Sequence, residues 1–176
     1  LNTLYIPTST LRRAVVSYDD ITIRELDTYE AAPYDGGSFD VDSDKTIVTP
    51  VFNGSAQAEF DFTAESTDGS CMLFGMGTES GDVCRIVLNN GELGYVCNGE
   101  EYLFNILLSP GTKHRFNFLY INDAISQKPR IAVYFDGECI GELIPFETID
   151  GLNRFTFGKP ETGKNTVENF IVSQRL

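Results

Sequence analysis

Hydrophobic and polar residues alternate along much of this chain with the period of two that is typical of β-strands. In the segment 58–65, Ala and Phe alternate with Glu, Asp and Thr. In the segment 114–120, His, Phe and Tyr alternate with Arg, Asn and Leu. Both patterns predict strands that pack one face on a core and expose much of the other face to water.

Three dipeptides that favour tight turns separate further strand patterns: Asn90-Gly91, Asn98-Gly99 and Asp136-Gly137. Asn-Gly and Asp-Gly are strong short signals for a two-residue β-hairpin. They join strands that the pattern predicts near 71–76, 83–88, 93–97, 101–107, 131–135 and 139–143. Counting outward from Asn90-Gly91 also predicts the register, since opposed residues pair Leu88 with Leu93, Ile86 with Tyr95 and Cys84 with Cys97.

The N-terminal part of the chain has weaker signals. Two short strands are predicted at 14–16 and 21–23, and the segment Asp27 to Lys45 is predicted to follow an irregular surface path because of Pro33, Gly36 and Gly37. No segment has the apolar periodicity and cap of an amphipathic helix. The whole pattern predicts one all-β domain over 1–176, a two-sheet antiparallel β-sandwich that buries its half-apolar strands between the sheets.

The C-terminal third resembles a known family. The segments HRFNFLY, IAVYFDGECIGEL, FTFG and VENFIVSQRL are similar to the closing half of laminin G-like, or concanavalin A-like, jelly-roll domains. The resemblance is carried by His114, Tyr134, Asp136, Gly137, Gly158 and the strand Val167 to Val172. It departs at Lys113, where the family usually has Trp, and at Glu168-Asn169, where Asp-Glu is usual. The resemblance implies a jelly-roll sandwich of the lectin and glucanase superfamily.

Composition and charge narrow the class of protein. The chain has 176 residues, 41% hydrophobic and 12% aromatic, which supplies a core for a single domain. No segment approaches the ~18 consecutive apolar residues of a membrane span, so no membrane insertion is expected. Thirteen basic and 26 acidic residues give a formal net charge of −13, which repels nucleic acid and anionic lipid.

The four cysteines leave two alternatives open. Cys84 and Cys97 face each other in the predicted hairpin, so their sulfurs are either bonded in a disulfide or remain as two buried thiols. The intervals from Cys71 to Cys84, Cys97 and Cys139 do not form a CxxC pair, and the chain has only 1 histidine. A zinc site is therefore not expected.

Catalysis finds little support in the residues. Glucanases of the resembled superfamily carry a Glu-x-Asp-x-x-Glu strand, whereas this chain has Glu59, Asp61 and then Ala64 where the second glutamate should stand, with Glu65 one residue late. No motif in the sequence places a nucleophile beside His114, so this histidine is predicted to have a structural role. We therefore expect the protein not to be an enzyme, and we expect these carboxylates to form the solvated side of a strand.

Calcium is the one cofactor that the sequence suggests. Asp40, Asp42 and Asp44 alternate, which in extended conformation turns three carboxylates, the hard oxygen ligands that calcium prefers, to one side. The resemblance also implies calcium binding, because concanavalin A-like domains often hold calcium near a sheet edge. Lys45 stands where a calcium loop favours Gly, however, and solvated turn carboxylates are the alternative.

The remaining function is recognition of a ligand. The predicted outer face of the meander carries Arg85, Glu101 and Asn105 beside apolar residues, a mixture that can bind sugar hydroxyls and their C–H surfaces. Tyr29 and Tyr34 are candidates for an aromatic platform, or else they pin their loop to the sandwich. We expect a noncatalytic module that binds a glycan or polysaccharide, as part of a larger extracellular or cell-surface protein. The alternatives are a structural or adhesion domain of a cell-surface or virion fibre protein that binds protein or oligomerises, and a glycan hydrolase or lyase.

Overall fold

The computed structural model describes residues 33–52, 54–123, 128–145 and 151–175. Within these ranges the chain forms twelve β-strands: β1 (Tyr34–Val41), β2 (Lys45–Phe52), β3 (Ser55–Ala64), β4 (Ser70–Thr78), β5 (Gly81–Asn89), β6 (Glu92–Cys97), β7 (Glu100–Leu107), β8 (Lys113–Asp123), β9 (Lys128–Phe135), β10 (Glu138–Leu143), β11 (Leu152–Phe157) and β12 (Asn165–Arg175). The strands predicted at 14–16 and 21–23 lie outside the described residues, as does Tyr29. Among the described residues, no helix has the length and apolarity needed to cross a bilayer.

The strands form two antiparallel sheets of six strands each. The first sheet has the order β1-β12-β3-β8-β9-β10, and the second sheet has the order β2-β11-β4-β5-β6-β7. Successive strands form meanders from β4 to β7 and from β8 to β10, while the other connections pass from one sheet to the other. The architecture is an all-β sandwich of the jelly-roll type, which confirms the predicted fold class.

The three predicted hairpins are present, and their turns have the backbone conformation that selects these residues. Asn90, Asn98 and Asp136 have φ of 48°, 57° and 50°, and each is followed by a glycine that also has positive φ. Two consecutive positive φ values define the type I′ turn, which matches the twist of antiparallel strands. The predicted register is confirmed as well, since Cys84 pairs with Cys97 and Leu88 pairs with Leu93.

The core is an aromatic layer between the sheets. In β3, alternate residues from Ala56 to Ala64 are buried, so the strand has the half-buried pattern that its sequence predicts. The ring of Phe60 lies 5.0 Å from that of Phe74 in the second sheet and 5.5 Å from that of Phe116 in the first. Phe74 in turn lies 4.6 Å from Phe118. These rings join the two inner faces into one core.

Two edge strands differ from the expectation. Residues 34–41, predicted as an irregular path, pair with β12 as the edge strand β1, although register shifts occur on both sides of Gly37. A side chain at Gly36 would overlap the ring of Phe170, so this glycine allows close packing rather than breaking the strand. The strand β2 was not predicted, and it accommodates Pro50 because an edge strand leaves backbone N–H groups unpaired.

All four cysteines are free thiols in this structure, so the disulfide alternative for Cys84 and Cys97 is not the one observed. Both side chains are buried between the sheets. Burial raises the pKa of each thiol, which keeps both in the neutral form.

Candidate functional site

The outer face of the second sheet carries a compact group of polar side chains above a glycine. Gly75 of β4 lies opposite Thr156 of β11 on one side and opposite Arg85 of β5 on the other. Asp82 and Arg154 belong to the adjacent row, where both lie opposite Gly77. We call Asp82, Arg85, Arg154 and Thr156 the Gly75 cluster.

The absence of a side chain at Gly75 is what allows the cluster to close. Thr156 Oγ1 donates a hydrogen bond of 2.9 Å to Asp82 Oδ2, which joins β11 to β5 across β4. A Cβ atom at position 75 would lie 2.9 Å from Asp82 Oδ2 and closer still to Thr156 Oγ1. Any larger residue at 75 would therefore push these two side chains apart.

The two arginines of the cluster share one carboxylate. Arg85 Nε lies 3.9 Å from Asp82 Oδ2, and Arg154 Nε lies 3.6 Å from Asp82 Oδ1. The side chain of Asp82 is only 10% exposed, whereas those of Arg85 and Arg154 are 52% and 34% exposed. Asp82 Oδ1 and Arg154 Nε are both buried atoms without a hydrogen bond in the described part of the chain. The cluster therefore combines a buried negative charge with two accessible guanidinium groups.

A β-bulge explains why sequence reasoning missed Asp82. In a regular strand, residues 82 and 85 point to opposite faces, because successive side chains alternate. Here the register shifts between the Met76–Cys84 and Gly77–Asp82 pairs, which leaves Val83 without a directly opposed partner. The shift brings Asp82 onto the outer face beside Arg85. Arg154 and Thr156 could have been found from sequence, since they alternate with the buried Phe155 and Phe157.

The predicted residues Arg85 and Glu101 lie on this same outer face. The row that contains Gly75 continues through Arg85 and Val96 to Glu101 of β7. Glu101 Oε1 accepts a hydrogen bond of 2.7 Å from Asn89 Nδ2. Asn105 is exposed but lies in an irregular part of β7, where its φ is 57°. The structure thus brings Arg85 and Glu101 into one row and sets Asn105 apart in a bulge.

An apolar row runs beside the polar one. Met72 of β4 lies opposite Val87 of β5, Val87 lies opposite Gly94 of β6, and Gly94 lies opposite Leu103 of β7. Leu103 is 50% exposed. The outer face of the second sheet therefore presents charged and hydrogen-bonding groups next to a strip of aliphatic surface. The glycines on this face have no side chains, so the surface is lower at their positions.

A shallow surface pocket of about 160 Å³ lies at one end of this face. Asp82, Arg85 and Val96 line it together with Val83, Asn98 and Gly99. Sites that enclose a drug-sized ligand usually have volumes of about 300–1,000 Å³. At about 160 Å³, the pocket is smaller than such sites.

The outer face of the first sheet holds the carboxylates that were considered for catalysis. Arg115 contacts Asp61 Oδ1 at 3.0 Å and Glu59 Oε2 at 3.1 Å. Burial raises the pKa of Asp61, but hydrogen bonds from Asn169 and Arg115 outweigh burial, and the net result is a pKa below the usual value. Glu65 follows the end of β3 and accepts the backbone N–H of Lys164 at 3.1 Å. These carboxylates are engaged in ion pairs and backbone contacts.

His114 is held by the Asp136-Gly137 turn. Its Nδ1 lies 2.8 Å from Asp136 Oδ2, and its ring stacks on Phe135 with 4.7 Å between centroids. Asp136 Oδ1 also accepts the backbone N–H of Arg115 at 2.7 Å. The histidine therefore anchors the β9–β10 hairpin to β8, in agreement with a structural role.

The three aspartates proposed for calcium lie where β1 passes into β2, and each has its own partner. Asp40 Oδ2 contacts Lys164 Nζ at 2.6 Å, while Asp40 Oδ1 accepts the hydroxyl of Thr166. Asp44 accepts the backbone N–H of Lys159 at 2.8 Å. Within the described ranges, no group of three or more His, Cys, Asp or Glu side chains is arranged to hold a metal ion. Calcium binding by Asp40, Asp42 and Asp44 stays a prediction.

The aromatic candidates fall in different places. Tyr34 lies in β1 and packs against the core, with its ring 6.4 Å from that of Phe170. A second aromatic surface was not predicted: Tyr102 is 43% exposed and stacks on Tyr95 with 4.9 Å between centroids. These two tyrosines border a pocket of about 270 Å³ that Ile144 also lines. We call this pair the Tyr102 ledge; it lies on the opposite side of its strands from the Gly75 cluster.

The comparisons with solved structures agree with the fold. A sialidase matches with a TM-score of 0.62 and 13% identity over 78% of this chain. Galectin LEC-6 of Caenorhabditis elegans matches with a TM-score of 0.58 and 14% identity over 78% of this chain. A structure of botulinum neurotoxin type C, whose cell entry depends on interaction with two ganglioside molecules, matches with a TM-score of 0.53 and 13% identity over 79%.

These likenesses define a fold class. The chain covers 96% of the galectin but only 15% of the sialidase and 40% of the neurotoxin chain. No protein-family model matches the chain, and no curated protein matches it. The neighbours agree with the β-sandwich fold; a concanavalin A-like or laminin G-like relationship remains a prediction of the sequence resemblance.

Proposed function

We propose that this protein is a noncatalytic carbohydrate-binding domain, and that its site is the outer face of the second sheet around the Gly75 cluster. The observation that carries the proposal is the pairing of a polar row with an apolar row on one exposed face. A sugar presents hydroxyl groups at its edge and C–H groups on its faces, so it is complementary to both rows. Galectin and a ganglioside-dependent toxin among the structural neighbours support this direction.

The test is binding of the purified protein to a panel of neutral and acidic polysaccharides, measured by affinity electrophoresis and by calorimetry. Arg85→Ala and Glu101→Ala should each weaken binding to the retained polysaccharide, because both side chains lie on the proposed face. Tyr102→Ala is the matched control, since the Tyr102 ledge lies on the other side of the same strands. Retention that is lost with Tyr102→Ala but kept with Arg85→Ala would contradict the proposed site.

The noncatalytic part of the proposal is supported by the outer face of the first sheet. A glycosidase needs a carboxylic acid with a raised pKa beside a second carboxylate. Asp61 has a lowered pKa, because hydrogen bonds from Asn169 and Arg115 exceed the opposing effect of burial. Incubation with any retained polysaccharide should therefore release no new reducing ends or unsaturated products. Product release that disappears in Asp61→Asn would support the hydrolase or lyase alternative instead.

A structural or adhesion role is the second candidate, and exposed aliphatic side chains on the edges of the second sheet favour it. Val48 is 63% exposed in β2, and Leu107 is 74% exposed in β7. Edge strands with apolar side chains are common sites for pairing with another chain. Light scattering after size exclusion distinguishes the two roles: a stable oligomer that Leu107→Lys dissociates, with no polysaccharide retained, would favour the second candidate.

The extracellular or cell-surface location and the larger parent protein stay predictions. Calcium binding at Asp40, Asp42 and Asp44 is tested by comparing thermal unfolding in calcium and in chelator. A midpoint that calcium raises in the natural protein, but not in Asp42→Asn, would support that site.

A further inference from the structure

We infer that the glycan bound at the Gly75 cluster carries a carboxylate sugar, held by Arg85 and Arg154, next to a neutral sugar. The inference rests on the proposed function and specifies its ligand. The two guanidinium groups leave N–H donors available. Each contacts Asp82 only through Nε, at 3.9 Å and 3.6 Å, and neither forms a hydrogen bond within the described residues.

Guanidinium groups whose N–H donors are not used within the protein are suited to binding a carboxylate. A guanidinium presents parallel N–H donors that match the two oxygens of a carboxylate, and such charge-assisted pairs are stronger than neutral hydrogen bonds. Arg85 is 52% exposed and Arg154 is 34% exposed, so both are accessible from solvent. They flank the same carboxylate, which places their heads on one part of the face.

The local charge balance favours an anion at the Gly75 cluster. Two guanidinium groups and the single carboxylate of Asp82 leave one positive charge at the cluster, in a protein whose formal net charge is −13. Thr156 orients Asp82 from the other side by a 2.9 Å hydrogen bond, so the carboxylate is held within the sheet surface. A ligand carboxylate can therefore complete the coordination of the arginines without displacing Asp82.

The other end of the row limits how much negative charge the ligand can carry. Glu101 lies in the same row as Arg85, two strands away, which is roughly 10 Å. A carboxylate at that position repels a second anionic sugar and accepts hydroxyl donors of a neutral one. The ligand is thus an oligosaccharide of mixed character, not a polymer with a charge on every unit.

The experiment compares matched ligands on the intact protein. The probes are 3′-sialyllactose and a hyaluronan tetrasaccharide, each with its methyl ester as an uncharged control, together with lactose and polygalacturonate. Binding is measured by calorimetry and by NMR line broadening of the ligand. Arg85→Gln and Arg154→Gln remove one charge each, and Arg130→Gln is the control of equal charge change on β9 of the first sheet.

At least one acidic oligosaccharide should bind about tenfold or more tightly than its ester, and polygalacturonate should bind more weakly than that oligosaccharide. Arg85→Gln and Arg154→Gln should each remove the preference for the acid, whereas Arg130→Gln should keep it. The comparison of each acid with its ester uses the natural protein, so it tests the preference for a carboxylate even if Arg154→Gln fails to fold.

The possible results distinguish failure of the inferred carboxylate sugar from failure of the proposed carbohydrate-binding function. If neutral glycans or esters bind at the face as tightly as the acids, the inference is wrong while the proposed function stands. If no glycan of the panel binds at all, both are wrong. If polygalacturonate binds most tightly, the restriction to a mixed ligand is wrong.

Discussion

Thr156 Oγ1 and Asp82 Oδ2 are joined by a 2.9 Å hydrogen bond although 74 residues separate them in sequence. The bond passes over Gly75, so it exists only because the strand between the two partners has no side chain there. The bond holds the buried carboxylate of Asp82 between the two arginines of the cluster. The geometry of the proposed site therefore depends on one glycine.

Gly75→Ala should lower the free energy of unfolding by about 1–3 kcal/mol, because the added methyl group overlaps Thr156 Oγ1 and lies 2.9 Å from Asp82 Oδ2. It should also weaken glycan binding, since the cluster has to open. Urea unfolding and calorimetry measure the two effects. A double-mutant cycle supplies the control: in a Thr156→Ala background, Gly75→Ala should cost less. Equal costs in both backgrounds would show that the Thr156 contact is not the cause.

Asp61 should make stability depend on pH in the acid range. Its folded-state pKa is below the ordinary value, because the hydrogen bonds from Asn169 and Arg115 exceed the opposing effect of burial. The stabilisation is then fully present above the unfolded-state pKa of about 3.9 and is lost as pH falls through the lower folded-state value. Asp61→Asn should be less stable than the natural protein at pH 7, and the gap should close as the pH falls through the folded-state pKa of Asp61.

The control for this titration is Asp68→Asn, which removes an exposed carboxylate that forms no ion pair within the described residues. Thermal unfolding at pH 7 should give nearly the same stability for that variant as for the natural protein, because the substitution removes no ion pair of the described residues. A gap for Asp61→Asn that stays constant from pH 7 to pH 2 would contradict the assigned pKa direction.

The cysteines should react in an order set by burial. Cys139 is exposed, whereas Cys84 and Cys97 are 2% and 4% exposed, and burial raises the pKa of both. Because the thiolate is the reactive form, Cys139 should be labelled rapidly by a disulfide reagent in the native protein, and Cys84 and Cys97 only after unfolding. Mass spectrometry identifies the labelled sites. If Cys84 and Cys97 cannot be labelled after unfolding without reductant, they are disulfide-bonded in solution.

Phe60 should be among the most costly residues to truncate. It is fully buried, and its ring lies within 5.0–6.2 Å of five other phenylalanine rings from both sheets. Phe60→Ala should reduce the free energy of unfolding by about 3–5 kcal/mol, since it leaves a cavity where the sheets meet. Leu103→Ala, at a side chain that is 50% exposed, should change it by less than about 0.5 kcal/mol. Similar losses for both would argue against this core.

The sequence pattern predicted the interior well because period-two alternation is a local property of each strand. The segment Ala58 to Ala64 alternates in burial as its sequence alternates in polarity, and the Asn90-Gly91 turn sets which residues face each other in the β5–β6 hairpin. The edge strands were harder to predict. Gly36, Gly37 and Pro50 are unfavourable in a central strand, yet β1 and β2 tolerate them because each pairs on one side only.

By itself, the sequence determined the two-sheet architecture, the hairpin turns, the register of the central hairpin and the outer position of Arg85 and Glu101. Only the tertiary structure decided what surrounds Arg85. A bulge at Val83 turns Asp82 outward, and pairing of β4 with both β5 and β11 brings Arg154 and Thr156 to the same place. The physical reason is range: alternation and turn conformation act over a few residues, whereas the Gly75 cluster unites strands that are far apart along the chain.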